Sequence, residues 1–442
     1  MSAAAIERSS RRRHVVVAYA VAAMFLAYTD RVNIAVAAVA MRAEFHWSQS
    51  VKGLVLAGFF IGYFLFQIGS GALAQRFGGK RVLALAVLWW SLFTLLTPPA
   101  AFLSVAVLVA ARIGLGLGEA AVMPATYEIF GRWVPAGERA RSLALFLGGI
   151  PFGQIVGLLA TGYLTERIGW PMSFWVFGSA GLIWVAAFSR HVHNSPARDP
   201  RMLPAERALL PAPLPARRAP TPWRLMLSSP LVLSFVGAHF GHNWALYVLI
   251  SWLPSFFHEH LGLSIGSSGA YSALPWLANF VALLLGGSCA DALVKRGVEP
   301  LGVRRSLAAT GLLGAALALV SLPVAASPVT ALLLACAAAG SLGFAAGGFT
   351  AVSFDITPRH APMLIGFSNT LATIPGIVGV VVTGWLLDAT ANYTASYRLA
   401  AVAAAAAAVG LAITARARVP DLDGLASAAA ETDRSIRETV NP

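Results

Sequence analysis

The chain has 442 residues, of which 57% are apolar and only 12% are charged, and its mean hydropathy is +0.71. A soluble domain is roughly 45–50% apolar and about 25% charged, so this composition excludes a water-soluble protein and indicates a membrane protein. The formal net charge of +13 is compatible with either a nucleic-acid partner or a membrane topology.

Long apolar segments recur along almost the whole chain. Each is close to the roughly 20 residues that an α-helix needs to cross about 30 Å of hydrocarbon. Charged or proline-containing breaks separate twelve predicted transmembrane helices, at 15–41, 51–74, 80–98, 101–128, 140–165, 170–189, 229–257, 268–293, 303–324, 327–354, 361–387 and 394–415. The sequence therefore predicts an all-α membrane protein.

The predicted helices group into two six-helix bundles, at 15–189 and 229–416. A segment rich in Pro and Arg, 190–228, separates them and is typical of a cytoplasmic linker. Residues 1–14 and 417–442 are predicted as a cytoplasmic N-terminus and a cytoplasmic tail.

A basic run stands at 11–14, just before the first apolar segment, and this pattern is also typical of signal peptides. No small-residue cleavage site closes that segment, and eleven more predicted helices follow it, so we interpret it as an uncleaved first helix. The only cysteines, Cys289 and Cys336, stand in apolar surroundings. We predict neither disulfides nor a metal ion nor another cofactor.

The basic residues are distributed very unevenly along the predicted topology. With both termini in the cytoplasm, 26 of the 32 Lys and Arg residues fall in cytoplasmic segments, and only Arg42, Lys52, Arg167 and Arg398 fall in outer loops. This is the positive-inside pattern of membrane proteins. The charge therefore reports topology, and no nucleic-acid partner is predicted.

The two remaining basic residues, Arg31 and Arg112, fall in the middle of predicted helices. A central arginine costs at least about 2.5–3.5 kcal/mol to insert, so it normally faces a cavity or an acidic partner. Asp30 adjoins Arg31, and Glu119 follows Arg112 by nearly two helical turns, on the same face and about 10 Å away. A structural ion pair that joins helices is the alternative to a functional site.

An internal repeat relates the two bundles. Residues 150–157, followed by Glu166, recur as residues 374–379, followed by Asp388, with a constant offset of 222 residues from Ile155 onward. Repeated halves of this kind form a substrate cavity between them near the middle of the membrane. The repeat predicts two pseudo-symmetric six-helix halves.

Several motifs, in order along the chain, resemble the major facilitator superfamily. Residues 71–81 are similar to its loop motif between the second and third helices, although Gln75 stands where the family usually has aspartate. Asp291 keeps the acid at the equivalent position of the second half. The resemblance implies the major facilitator fold and gating roles for Arg76 and Asp291.

Residues 28–33, 112–119 and 354–359 resemble more specifically the anion:cation symporter family, which includes sugar-acid, phthalate and phosphate carriers. Residues 239–244 and 366–376 are especially sialin-like. In that family the matching arginines bind the substrate carboxylate, and the matching acids carry protons.

The resemblance thus implies substrate binding by Arg31 and Arg112, and proton coupling by Glu119, often together with Asp30. The side-chain chemistry agrees with these roles. A guanidinium can grip a carboxylate bidentately, and a carboxyl group in a low-dielectric cavity binds protons near neutral pH.

Further polar residues are predicted to line the cavity, with ordinary packing as the alternative for each. Tyr63 and Gln154 match substrate contacts of sugar-acid carriers. The remaining candidate substrate contacts are Tyr28, Asn369 and Thr373. His242 stands where vesicular glutamate carriers have arginine, which makes it a candidate pH-sensitive group, with an ordinary hydrogen bond that bridges helices as the favoured alternative.

We therefore predict a secondary transporter for proton-coupled symport of a small organic anion by alternating access, active as a monomer in the cytoplasmic (inner) membrane. Sugar acids are the first candidate substrates, followed by aromatic carboxylates, dicarboxylates and inorganic phosphate. An exporter of an anionic metabolite or siderophore shares every motif. An enzyme or a non-transporting sensor is a distant alternative, because no nucleophile–base pair, metal-ligand cluster or phosphate-binding loop is recognisable. The sequence does not determine how many protons are coupled, or whether sodium is the coupling ion in place of protons.

Overall fold

The computed structural model describes residues 12–210, 223–349, 352–357 and 361–414, and its regular structure in these ranges is helical. The predicted tail at 417–442 lies outside the described residues. So do residues 1–11 of the predicted N-terminus and residues 211–222 of the predicted linker.

Twelve long helices follow one another in the described part of the chain. They are α1 (Arg12–Phe45), α2 (Gln49–Phe77), α3 (Gly79–Leu103), α4 (Val105–Glu119 and Val122–Trp133), α5 (Arg139–Arg167), α6 (Pro171–His191), α7 (Pro230–Ser255), α8 (Ile265–Lys295), α9 (Pro300–Ser321), α10 (Pro328–Phe349), α11 (Ala361–Leu371 and Ile374–Thr390) and α12 (Thr394–Ile413). Short helices occupy Pro204–Ala208, Trp223–Ser228 and Val352–Ile356, and a π-helical turn, Phe256–His260, extends α7.

Eleven of the twelve helices are long and apolar enough to cross a membrane. The exception, α7, has 26 residues and carries the polar side chains of His239, His242 and Asn243 in its middle. The twelve predicted helices are therefore all present, and the chain is an all-α, multi-pass membrane protein.

The boundary between α3 and α4 differs from its prediction at 98–101. The helix continues through Pro98 and Pro99 to Leu103, and the break falls at Ser104. Ser104 has extended backbone angles, and its hydroxyl accepts a hydrogen bond from the Val107 amide at 3.2 Å, which caps α4. An N-capping hydroxyl, and not the proline pair, marks the start of the next helix.

The chain forms two compact units. The first contains α1 to α6 together with Ile250–Leu274 and Val380–Ala391, and the second contains the remainder of α7 to α12. Parts of α7, α8 and α11 thus belong to the first unit, and the domain boundaries at 15–189 and 229–416 stay a prediction. Within the first unit α1 packs against α5 and α6, α2 against α4, and α3 against α4 and α6. Within the second, α9 packs against α10 and α12.

The backbones of α2 and α4 touch because glycines lie at their contact. A Cβ atom at Gly62 would overlap the carbonyl group of Ile113, and one at Gly116 would overlap the carbonyl oxygen of Phe59. This close approach holds one turn of α2, at Phe59 and Tyr63, directly against the helix that carries Arg112 and Glu119.

Candidate substrate and proton site

Arg31 and Glu119 form a buried ion pair between α1 and α4. The Arg31 Nη2 and Nε atoms donate to the same Glu119 oxygen, Oε2, at 2.9 and 3.2 Å. The two side chains are 10% and 0% exposed, and the residues are 88 positions apart in the chain. Arg31 is therefore neutralised by the acid of another helix and not by its neighbour Asp30.

Asp30 is buried, at 1% exposure, and neither of its carboxylate oxygens has a hydrogen-bond partner in the described structure. The Trp90 indole and the Thr94 hydroxyl of α3 adjoin it. Successive residues of a helix point about 100° apart, so Asp30 faces α3 while Arg31 faces Glu119. In this conformation Arg31 thus pairs with Glu119, and Asp30 forms no ion pair with the adjacent Arg31.

Arg112 is also buried, at 1% exposure, on the inner face of α4. Its Nε and Nη1 atoms have no hydrogen-bond partner among the described residues. The charges of Glu119 and Asp30 act on it from nearby, without direct contact. One guanidinium of the candidate site is thus engaged with a carboxylate, and the other keeps donors that a bound anion could occupy.

Three aromatic rings surround the Arg31 guanidinium. Its Cζ atom lies 4.3 Å from the ring centroid of Tyr28, 4.6 Å from that of Phe59 and 5.0 Å from that of Tyr63. These are cation–π distances. The predicted residues Tyr28 and Tyr63 therefore lie beside Arg31, while Phe59, which motif reasoning missed, completes the cage.

A small cavity of about 10 Å³, room for about one water molecule, lies between the two arginines. It is lined by Arg31, Arg112 and Phe59, and by Ile250 and Ser251 of α7, among other residues of the first unit. The two guanidiniums therefore face a common space inside the first unit.

The other sequence candidates lie on separate elements. Gln154 is buried on α5 at 4% exposure, in the first unit. In the second unit, Thr373 is buried and its hydroxyl donates to the carbonyl of Asn369 at 2.8 Å. Arg76 and Asp291, the predicted gating residues, are exposed, and neither forms an ion pair within the described ranges.

His242 belongs to a polar network inside the second unit. Its Nε2 atom bonds the Leu342 carbonyl of α10, and its Nδ1 atom bonds the Asn243 side chain, both at 3.1 Å. The Asn243 amide donates to the Ala372 carbonyl of α11 at 2.9 Å. His242 therefore links helices, the alternative that the sequence left open beside a pH-sensitive role.

Two of the spanning helices are broken next to candidate residues. In α4 the break at Ala120–Ala121 follows Glu119 directly, because Pro124 has no amide hydrogen for the Ala120 carbonyl. The hydroxyl of Ser70 on α2 lies 3.1 Å from that carbonyl and 2.8 Å from the Gln67 carbonyl, so its one hydrogen is shared between the two acceptors. Proline in an apolar run does not by itself predict such a break, because α3 continues through Pro98 and Pro99.

The break in α11 also leaves a backbone carbonyl for a side chain of another helix, but without a missing amide hydrogen. Gly376 donates to the Thr373 carbonyl just after the break, so the Ala372 carbonyl is free to accept from Asn243. The repeat partner, residues 150–157, contains Pro151 inside an unbroken α5. The sequence repeat is therefore conserved in composition but not in local structure.

A buried lysine ties segments of the first unit together. Lys52, predicted in an outer loop, lies in the first turn of α2 at 0% exposure, and its Nζ atom contacts Ser255 Oγ at 2.9 Å and Glu259 Oε1 at 2.8 Å. Close by, Asp388 of α11 accepts from the backbone amides of Gln49 and Ser50, each at 2.8 Å. The prediction of a loop residue was wrong because a polar partner 207 residues away stabilises the burial of Lys52.

Twelve membrane helices that bury two arginines and two carboxyl groups in one unit define a polytopic membrane carrier. The chain belongs to the major facilitator superfamily, whose family model matches residues 20–298. Membership in this family of carriers means that the protein is not an enzyme.

Relatives of known name refine this assignment. The chain is 39% identical to the sodium-dependent phosphate transport protein 1, chloroplastic, of Arabidopsis thaliana over 380 residues, 85% of this chain and 74% of the relative. It is 37% identical to the chloroplastic ascorbate transporter of the same plant, over 85% of this chain and 70% of the relative. It is 33% identical to sialin of Ovis aries, over 77% of this chain and 70% of the relative.

A solved D-xylose–proton symporter matches the fold with a TM-score of 0.72 at 16% identity, covering 92% of this chain and 98% of the other. The predicted resemblance to the anion:cation symporters of the major facilitator superfamily, and the predicted twelve-helix fold in two pseudo-symmetric halves, are confirmed.

Proposed function

We propose that this protein is a proton-coupled symporter of a small organic anion, a sugar acid or another carboxylate, that works by alternating access. The proposal depends on one observation, that the two buried guanidiniums differ in their hydrogen-bond partners. Arg31 is held by Glu119, while two nitrogen atoms of Arg112 have no partner in the described structure. The names of the ascorbate transporter and sialin among the relatives support an organic anion as substrate.

The geometry suggests how proton and anion are linked. Protonation of Glu119 removes the charge that neutralises Arg31 and weakens the two hydrogen bonds between them. A substrate carboxylate then replaces the Glu119 charge and accepts hydrogen bonds from Arg31 and Arg112 together. When Asp30 keeps its charge, two carboxylates accompany the two arginines in both states: Glu119 and Asp30 in the empty carrier, and the substrate and Asp30 in the loaded one.

Asp30 is the candidate for a second proton, because it is buried without a hydrogen-bond partner in the described structure. Import of a monoanion with two protons moves one net charge, which gains about 2.3 kcal/mol per 100 mV of membrane potential. Import with one proton is electroneutral. We place the carrier in the cytoplasmic membrane as a monomer, with both termini inside.

Inorganic phosphate coupled to sodium is the second candidate, and the name of the Arabidopsis phosphate transport protein favours it. Two guanidiniums suit a phosphate as well as a carboxylate. Uptake of labelled gluconate and of phosphate into proteoliposomes, with an imposed proton gradient or an imposed sodium gradient, separates these candidates. Gluconate uptake that follows only the sodium gradient would contradict proton coupling.

The replacement Glu119→Gln tests the proposed coupling directly. Glutamine mimics the protonated acid at nearly the same volume, so the variant should still exchange labelled substrate in counterflow. It should fail to accumulate substrate when a pH difference is imposed. Both assays are run in the same proteoliposomes, and Glu44→Gln, at an exposed carboxylate near the end of α1, is the matched control.

A structural ion pair predicts a different result. Glutamine would then leave Arg31 without its charge partner, which costs about 3–5 kcal/mol and lowers the melting temperature without separating exchange from accumulation. Accumulation driven by pH at the wild-type level would remove Glu119 from the mechanism. Uptake of substrate into inside-out vesicles corresponds to export from the cell. Such uptake would favour the exporter with the same site.

A further inference from the structure

The ring of Phe59 on α2 lies beside both arginines of the candidate site. The Arg31 Cζ atom is 4.6 Å from its centroid, and the Arg112 Cζ atom is 5.9 Å from it. Phe59 is 1% exposed. Of the three rings around Arg31, it is the one that also faces the guanidinium of α4.

Two buried guanidiniums close enough to share one aromatic ring repel each other. The face of an aromatic ring carries partial negative charge and attracts both. When the Glu119 carboxylate is neutralised, this attraction opposes the separation of the two cations. An aliphatic side chain of similar volume would fill the same space but would not attract the two cations.

The ring stands on a rigid base. The backbone carbonyl of Phe59 lies against Gly116 of α4, where no side chain of larger size fits. The neighbouring ring of Tyr63 is 5.7 Å from that of Phe59, and the ring of Phe60 is 5.2 Å from it. The position of Phe59 relative to the helix of Arg112 is therefore fixed by backbone contact, and its ring has little freedom to turn away.

We propose that Phe59 is a positioning residue that holds the guanidiniums of Arg31 and Arg112 at a spacing that one anion can bridge. It acts through the electron density of its ring and makes no hydrogen bond to the anion. The inference rests on the proposed function, because it takes the two arginines as the anion-binding groups. It adds a determinant of affinity that the charged motifs do not contain.

Graded fluorination of the ring tests this proposal with little change in shape. Phenylalanine with one, two and three fluorine atoms is incorporated at position 59, because each fluorine withdraws electron density from the ring face. We expect the affinity for gluconate to fall stepwise, to about tenfold weaker with three fluorine atoms. The same series at Phe146, a buried ring on α5 that packs against Phe130, is the control and should leave the affinity unchanged.

A second measurement needs no anion. The melting temperature is compared for the fluorinated series at position 59 in the wild type and in Glu119→Gln. The ring should matter more when the Glu119 charge is absent, so trifluorination should lower the melting temperature further in Glu119→Gln than in the wild type.

The outcomes separate the two proposals. Equal shifts in both backgrounds, or a gluconate affinity that does not change across the series at position 59, would overturn the role of Phe59. If the wild type binds neither gluconate nor phosphate, the proposed function fails, while the comparison of melting temperatures still decides whether the ring holds the two cations.

Discussion

At the scale of single residues, the two buried arginines are not equivalent. Arg31 has an ion-pair partner and three aromatic neighbours, whereas Arg112 keeps two nitrogen atoms without a hydrogen-bond partner in the described structure. In a simple structural ion pair every buried donor would have a hydrogen-bond partner. A site in which one guanidinium has donors without a partner differs from that arrangement.

Replacement of either arginine by lysine should weaken anion binding strongly. One ammonium cannot reproduce the two parallel hydrogen bonds of a guanidinium, and hydrogen bonds to charged groups contribute about 1.5–3 kcal/mol each, so we expect a loss of at least about tenfold. Affinity for gluconate is measured by titration calorimetry on protein that elutes as a single folded species. Arg132→Lys, at an exposed arginine of α4, is the control.

The assignment of the anion site would fail if both lysine variants, Arg31→Lys and Arg112→Lys, bound gluconate with near-native affinity. A loss in only one of them would assign the carboxylate to that arginine and leave the other as a structural charge.

At the scale of elements, the start of α2 is fixed by charged contacts within the first unit. Lys52 is buried against Glu259 of the π-helical turn that follows α7, and Gln49 donates to the same carboxylate at 2.7 Å. Burial would raise the pKa of the Glu259 carboxyl, but Lys52, Gln49 and Arg42 more than offset this and hold the pKa below its ordinary value. Glu259 therefore stabilises the folded protein in its charged form.

This contact predicts a pH dependence of stability. Because the pKa of Glu259 is lower in the folded than in the unfolded protein, its contribution is fully present above the unfolded pKa of about 4.3 and is lost as the pH falls through the folded value. Glu259→Gln should lower the melting temperature at pH 7, and this difference from the wild type should shrink in acid below about pH 4.3.

The pH series is recorded by differential scanning fluorimetry in detergent. Glu44→Gln, at a carboxylate that accepts a hydrogen bond from the Trp170 indole and forms no ion pair in the described structure, is the control. A difference between wild type and Glu259→Gln that stayed constant from pH 7 to pH 3 would show that the charge of Glu259 is not the source of the stabilisation.

At the scale of the whole molecule, the distribution of basic residues predicts which side of the membrane each end of a helix faces. Ala43, near the end of α1, and Ala136, between α4 and α5, are both exposed. Arg132, Arg139 and Arg141 flank Ala136, so the positive-inside rule predicts a cytoplasmic position for it.

Single cysteines at these two positions test the topology, in a background with Cys289 and Cys336 replaced by serine. A membrane-impermeant maleimide should label Ala43→Cys in intact cells and Ala136→Cys only after permeabilisation. The opposite pattern would reverse the orientation and place both termini outside.

The positions of the helices were predictable from the sequence because a membrane helix is a local property. A run of about 20 apolar residues satisfies its own backbone hydrogen bonds and must cross the hydrocarbon whatever its neighbours are. The same local reasoning placed the boundary between α3 and α4 wrongly, because proline was taken as the break while the capping hydroxyl of Ser104 sets the start of α4.

The sequence by itself determined the twelve helices, the buried charges and, through its motifs, the family. Only the tertiary structure decided which charge meets which: Arg31 pairs with Glu119 across 88 residues, and Asp30 turns toward α3. Helical periodicity fixes the direction of a side chain around its own axis, but the partner in that direction depends on which helix packs there. Close helix packing depends in turn on contacts between residues far apart in the chain, such as Gly62 with Ile113 and Gly116 with Phe59 between α2 and α4.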